Sequence, residues 1–330
     1  MNDLPAVATS ASLSDVTVEL AAPFEHLLRG PEMCGVVRTL LDGELRGCVP
    51  GWPRLRDDRL AGRWLRGSDV LIELAHQPPR SDFELAIALH ADGATRVVER
   101  LLGAQESAAV ASSSGSPSEA ECGVLAYVAA RLCAASASSL CVRSVRRCDP
   151  REALDPEPLL LWPVAVASSF GPLQATLLLS LGALEQWPLS ACVSLFLRDR
   201  CEPAELRELS RGDLLLSDAW TLTPTTEGLT GDVLVGTAGA DGVLTARLAR
   251  GALEARAVVD GSEEQLELVL TRRTLPLLAL ARFAAGEPLA LAPAEGESAS
   301  LRWRGTELAR GELVVRRGAV GLRIDELLQR

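Results

Sequence analysis

LARGELVVRRGAVGLRI, residues 308–324, reads as two short strands joined by a tight turn. Leu313 and Val315 fall on one face of the first strand, and Val320, Leu322 and Ile324 on one face of the second, the period of two that a half-buried strand requires. Arg316, Arg317 and Gly318 supply the turn. The phrase that opens this segment, LARGEL (Leu308–Leu313), has a near-copy upstream in LARGAL (Leu248–Leu253). If the two phrases are matching core strands, the C-terminal part of the chain is a duplicated module.

Upstream order agrees with a duplication. LSRGDLLL (Leu209–Leu216) and FAAGEPLAL (Phe283–Leu291) both put a Gly-acid turn between a short helical stretch and an apolar strand. With Gly251 aligned on Gly311, the first copy is longer from Gly212 to Gly251 than the second is from Gly286 to Gly311. The excess is expected in TPTTEGLTGDV (Thr223–Val233) or GTAGADG (Gly236–Gly242), since inserted turn residues cost little. The modules then span 187–260 and 261–330. The first ends at EARAVVDG, without the closing strand that VGLRI supplies to the second. Leu289, Leu291, Leu313, Val315, Val320, Leu322 and Ile324, with Leu248 and Leu253 of the first copy, are the residues expected to pair module with module. A module of about 65 residues with one thin β-layer has too little core to stand alone.

The region before the modules reads as an α+β domain over residues 15–186, after a loose tail at 1–14. VTVEL (Val16–Leu20) is strand-like and FEHLLRG (Phe24–Gly30) helical. DVLIELA (Asp69–Ala75) and FELAIALH (Phe83–His90) alternate as half-buried strands around QPPR (Gln77–Arg80). TRVVERLLG (Thr95–Gly103) predicts a helix ended by glycine. A Ser-rich loop, 107–118, precedes a helix opened by Ser118, Glu119 and Glu121, with Gly123, Val124, Tyr127, Val128 and Leu132 expected to face the core. Strands follow at 140–145, 159–167 and 173–181. The apolar run Pro158–Leu184 is broken by Pro163, Gly171 and Pro172, so it reads as two buried strands and not as a membrane span.

Composition narrows function by exclusion. All 33 basic residues are Arg and the net charge is −11, which argues against nucleic acid or an anionic membrane surface as partner. Arg146–Arg147, Arg272–Arg273 and Arg316–Arg317 are expected at solvated turns. No secretory leader is expected in MNDLPAVATSASLSDV. The eight cysteines, at 34, 48, 122, 133, 141, 148, 192 and 201, form no CxxC pair, so structural thiols are expected and no metal. His26, His76 and His90 are scattered, and neither a GxSxG elbow nor a phosphate-binding Gly-rich loop is present. The pair Glu263–Glu264 reads as a solvated lead into a strand. No catalytic residue and no cofactor is expected.

LELVLTRRTLPLLALARFAAGEPLALAPAEGESASLRWRGTELARGELVVRRGAVGLRIDELL resembles a SpoA (surface presentation of antigens) domain. The resemblance rests on Gly286–Glu287 after a short helix, Gly311–Glu312–Leu313–Val314, and Gly321–Leu322–Arg323–Ile324. Residues 189–259 are similar to a divergent first SpoA domain. Two SpoA domains behind an α+β domain resemble the SctQ (YscQ/HrcQ) family of type III secretion systems, related to flagellar FliM and FliN. RVVERLLG and AECGVLAYVAARL are similar to that family's N-terminal segments.

The resemblance implies a CheC/FliM-middle-like domain followed by two SpoA domains in an intertwined barrel. It also implies a non-enzymatic scaffold in the cytoplasm at the inner-membrane face, without insertion, that meets an SctL-type stator, an SctK-type adaptor and, through the stator, the SctN ATPase. Pairing with self or with a separate C-terminal SpoA fragment, started without ATG near Val258 or Val259, is implied as well. A flagellar FliM/FliN-type switch protein is the alternative. A CheC-like phosphatase is a remote one, because no Asn follows Glu119 and Glu121 at helical spacing.

Overall fold

A computed structural model describes residues 31–56, 65–76, 85–103, 117–135, 140–154, 159–180, 184, 189–199, 206, 208–237, 243–259, 265–293, 295–303, 306–316 and 318–328. The expected tail at 1–14, VTVEL, FEHLLRG, His26, QPPR, Glu263–Glu264 and nearly all of the Ser-rich loop lie outside these residues.

The N-terminal part is α+β. In chain order it holds α1 (Pro31–Leu41), β1 (Leu45–Pro50), β2 (Arg54–Leu55), β3 (Val70–His76), β4 (Leu85–Leu89), α2 (Ala91–Leu101), α3 (Glu119–Ala135), β5 (Leu140–Arg147), β6 (Leu159–Ser168) and β7 (Leu173–Ser180). The strands form one antiparallel sheet in the order β1-β6-β7-β4-β3-β5, with β2 also on β6. The helices cover one face, over Val70, Leu85, Leu160 and Trp162. A smaller cluster of Leu71, Ala86, Ala88, Leu161 and Leu178 fills the other face, under Leu65, Cys148 and Ala153. Burial on both faces explains why β7 reads as a nearly unbroken apolar run.

Several local expectations differ from what is found. α2 begins at Ala91, ahead of the predicted Thr95. α3 opens on the anticipated cap: Ser118 N–H donates to Glu121 Oε2 at 2.6 Å, and Glu121 N–H donates back to Ser118 Oγ at 3.3 Å. Its core side, however, is Cys122, Leu125 and Val128, while Gly123 and Tyr127 face solvent. Of the expected residues Val128 is buried and Val124 and Leu132 pack against the core, but apolar residues surround this helix, so spacing alone also admitted Gly123 and Tyr127 and passed over Cys122 and Leu125. Two of the three Arg pairs also lie on strands and not in turns: Arg146 and Arg147 on β5, Arg272 and Arg273 on the strand at 266–276. A cross-strand carboxylate makes this tolerable, as where Arg146 meets Glu73 at 3.1 Å.

The C-terminal part holds β8 (Ser190–Asp199), β9 (Leu214–Leu216), β10 (Thr223–Thr225), β11 (Gly228–Thr237), β12 (Val243–Ala249), β13 (Ala252–Val259), β14 (Leu266–Pro276), α4 (Leu277–Ala284), β15 (Ser298–Trp303), β16 (Thr306–Arg316) and β17 (Ala319–Leu327). One ten-stranded sheet runs β13-β12-β11-β8-β14-β15-β16-β17-β9, with β10 on β11. The first module's β11, β12 and β13 lie on one side of the central β8–β14 pair, and the second module's β15, β16 and β17 on the other. Within that pair Leu268 faces Leu197 and Glu267 faces Arg198.

The two phrases are not equivalent strands. LARGAL straddles the β12–β13 hairpin, with Arg250 at φ +52° and Gly251 at φ +76°, the left-handed pair a tight hairpin turn uses. LARGEL lies inside β16, where Gly311 faces Ile324 of β17. The structural match to Gly251–Ala252 is Gly318–Ala319, and Gly318 has φ +80°. β13 is therefore the counterpart of β17, and the first module does not lack its closing strand. Aligning Gly251 on Gly318 in place of Gly311 halves the excess length of the first module. What remains lies before β11, where β10 forms a hairpin with β11 and Trp220, Leu222 and Leu229 are buried.

Candidate functional site

The two modules exchange backbone. β9, from the first, adds to β17 of the second, with Leu215 opposite Leu322 and Leu214 opposite Arg323. Gly212 N–H donates to Ile324 O at 2.8 Å, and Ile324 N–H to Asp213 O at 2.9 Å. Reciprocally, Leu289 of the second module bridges Leu253 on β13 of the first, the two exchanging hydrogen bonds of 2.8 and 2.9 Å. Each crossing follows a glycine of positive φ, Gly212 at +92° and Gly286 at +103°. Gly286 closes α4 as a Schellman motif: its N–H donates to Phe283 O, and Glu287 N–H to Arg282 O, both at 3.0 Å. EPLALA, expected as a strand, contributes only the bridge at Leu289.

Of the residues expected at the interface, Leu248, Leu253, Leu313, Val320, Leu322 and Ile324 are fully buried and Leu291 nearly so, whereas Leu289 and Val315 are half-buried. Leu313 faces Leu322 and Val315 faces Val320 across the β16–β17 hairpin. Leu253 and Leu289 meet across the module boundary. Leu248 lies opposite Leu253 inside the first module. Missed by sequence reasoning were Leu215 and the central leucines 195, 197, 268 and 270. DLLL was visible as an apolar strand, but its partner strand is remote in the chain. Leu214 and Leu216, on the other face of β9, are each 43% exposed.

The barrel also packs on the N-terminal domain. Phe283 of α4 lies 6.5 Å, ring centre to ring centre, from Trp52 beside β2, and both are buried in one continuous apolar cluster.

The outer face of the second module carries alternating charge. Arg198 on β8, Glu267 on β14, Arg302 on β15 and Glu307 on β16 lie opposite one another in register. Arg198 and Glu267 pair at 3.0 Å. Glu307 accepts from Arg272 at 3.1 Å and from Arg310 at 2.5 Å. Burial would raise the Glu307 carboxyl, but the two guanidinia outweigh it and hold the group below its ordinary value.

No group of His, Cys, Asp and Glu able to hold a metal is found among the described residues. No helix among them is long and apolar enough to cross a membrane. Burial and the nearby Asp69 push the Cys148 thiol up to about 11, which keeps it protonated and unreactive at neutral pH.

Residues 259–329 match the family described as type III flagellar switch regulator (C-ring) FliN C-term. The match falls on the second module, which is similar to that C-terminal FliN domain. The FliM middle domain from Vibrio alginolyticus shares 12% identity, covering 50% of this chain and 94% of that one, with a TM-score of 0.36. FliY from Thermotoga maritima shares 8% over 49% and 87%, with a TM-score of 0.38. A CheX–CheY complex from Borrelia burgdorferi shares 13% over 47% and 96%, with a TM-score of 0.29. No curated protein matches the chain.

Proposed function

We propose that this chain is a non-enzymatic SctQ-type subunit of the cytoplasmic ring, or sorting platform, of a type III secretion system. The observation that carries the reading is the reciprocal strand exchange between two modules of one chain, the second similar to the C-terminal FliN domain. Such a chain brings its own barrel to an assembly and does not need a second polypeptide to complete it. The barrel's open edge at β9, with Leu214 and Leu216 exposed, offers an apolar strip to a partner. In this reading the partners are an SctL-type stator, an SctK-type adaptor and, through the stator, the SctN ATPase, at the cytoplasmic face of the inner membrane.

The description of the matched family favours a second reading, a FliM/FliN-type flagellar switch protein. Co-purification of the full chain with SctL- and SctK-type proteins, and separately with a FliG-type protein, with complex masses measured, distinguishes the two. Capture of the SctL- and SctK-type proteins supports secretion. Capture of the FliG-type protein alone transfers the chain to the motor.

A phosphatase role has little chemistry behind it. The Glu121 carboxylate is held in the cap of α3, and Val124, Leu125 and Tyr127 stand where an amide would have to position water. Turnover of a phosphorylated CheY-like protein by the full chain would overturn the non-enzymatic reading.

A further inference from the structure

A cleft of about 350 Å³ opens on the outer face of the second module, between β14, β15 and β16. Val269, Thr271 and Ser300 are among its lining residues, all less than a tenth exposed. Its rim carries Arg272, Arg273 and Arg310, whose side chains are 37, 55 and 55% exposed. Glu297 takes Arg273 at 3.5 Å, while the single carboxylate of Glu307 serves both Arg272 and Arg310. Arg272 Nη2 also lies 3.4 Å from Ser300 Oγ. Beside the cleft, Arg302 has its Nε buried with no partner, and burial together with the Arg272 guanidinium lowers its proton affinity. Guanidinium N–H groups therefore outnumber carboxylate acceptors here, in a chain whose net charge is −11.

We propose that this cleft docks a carboxylate side chain carried on an extended acidic segment of a partner protein. A planar guanidinium fork matches a carboxylate with two parallel hydrogen bonds, and three forks around one concavity would hold it from several sides. The volume sits at the small end of ligand pockets, roughly 300 Å³ and upward, so it suits one or two side chains. A nucleic acid is disfavoured because the arginines ring one small concavity, whereas a phosphate backbone is gripped along a line of basic groups, and the chain's net charge is −11. The proposal is independent of whether the assembly is a secretion ring or a flagellar one.

The test is fluorescence anisotropy of the full-length chain at low salt with a labelled short peptide alternating Glu and Gly, and with its Gln counterpart. The Glu peptide should bind and the Gln peptide should not. The double substitution Arg272→Gln with Arg310→Gln should weaken binding at least about 10-fold, the loss expected when paired charges are removed. Arg256→Gln, whose guanidinium meets Asp232 in the first module, should leave it unchanged. Glu307→Gln removes the internal competitor and should tighten binding several-fold, a gain that damaged folding does not produce. Absence of Glu-peptide binding, an equal loss in Arg256→Gln, or weaker binding by Glu307→Gln overturns the proposal. So does a short RNA that binds as tightly and depends on the same arginines.

Discussion

Gly251 and Gly311 occupy the same place in the phrases LARGAL and LARGEL, yet alanine should act on them by different physics. At Gly251 nothing lies within 4 Å of an added Cβ, and the only obstacle is φ at +76°. The cost is that of a left-handed alanine, about 1–2 kcal/mol, and asparagine, which tolerates that conformation, should recover most of it. At Gly311 the backbone is not left-handed, but an added Cβ would stand 1.9 Å from Arg323 O and 2.8 Å from Arg323 C. Ordinary contact begins at 3.4 Å, so β17 would have to retreat by well over an ångström.

That retreat would carry Ile324 away from Gly212 and Asp213, whose two hydrogen bonds seat the crossing segment before β9 on β17. Overpacking at about 1–3 kcal/mol and two hydrogen bonds at about 1 kcal/mol each give a total of about 3–5 kcal/mol. Asparagine should be no better than alanine there. A chain of two domains need not unfold in one step, so the assay is urea dependence of hydrogen exchange at β16 and β17 amides. If Gly311→Ala costs no more than Gly251→Ala, or if Gly311→Asn rescues it, the non-equivalence of the two phrases is wrong.

Leu313→Ala, at a fully buried site facing Leu322, should cost about 2–5 kcal/mol in urea unfolding of the barrel, leaving the N-terminal sheet's exchange protection intact. Ser118→Ala should destabilise α3 by about 1 kcal/mol, read from its helical amides. Bonds from the Ser118 amide, first, and its hydroxyl hold the Glu121 carboxyl below its ordinary value, so this cap's contribution is present above the usual Glu range and fades as pH falls through it; Ser118→Ala keeps the amide and should lose only the hydroxyl's smaller part of that pH dependence in thermal melts. Cys148, with its thiol pushed up to about 11, should be alkylated by iodoacetamide at pH 8 far more slowly than the half-buried Cys34 in mass-spectrometric labelling.

Local patterns were readable from the chain where a single element carries its own signal. The hairpin Leu313–Ile324, the Ser118–Glu121 cap, and the positive-φ glycines Gly212 and Gly286 depend on near neighbours in the sequence. The alternation of β3 and β4 likewise pointed to the antiparallel pair found. The face of α3 was legible only in part, at Val124, Val128 and Leu132, because apolar side chains ring the helix, and only the packing beneath it selects Cys122 and Leu125 over Tyr127.

The residues alone determined that this chain has an α+β part followed by short strands in two similar series, because alternation and turn chemistry are written in side chains. Which strands join was decided in three dimensions. Backbone hydrogen bonds do not depend on side-chain identity, so nothing in DLLL names β17 as its partner and nothing in EPLAL names β13. The same indifference let one six-residue phrase serve as a hairpin turn at Gly251 and as mid-strand at Gly311. What distinguishes the two sites is the strand that packs against each glycine, Arg323 and Ile324 against Gly311 and open space at Gly251.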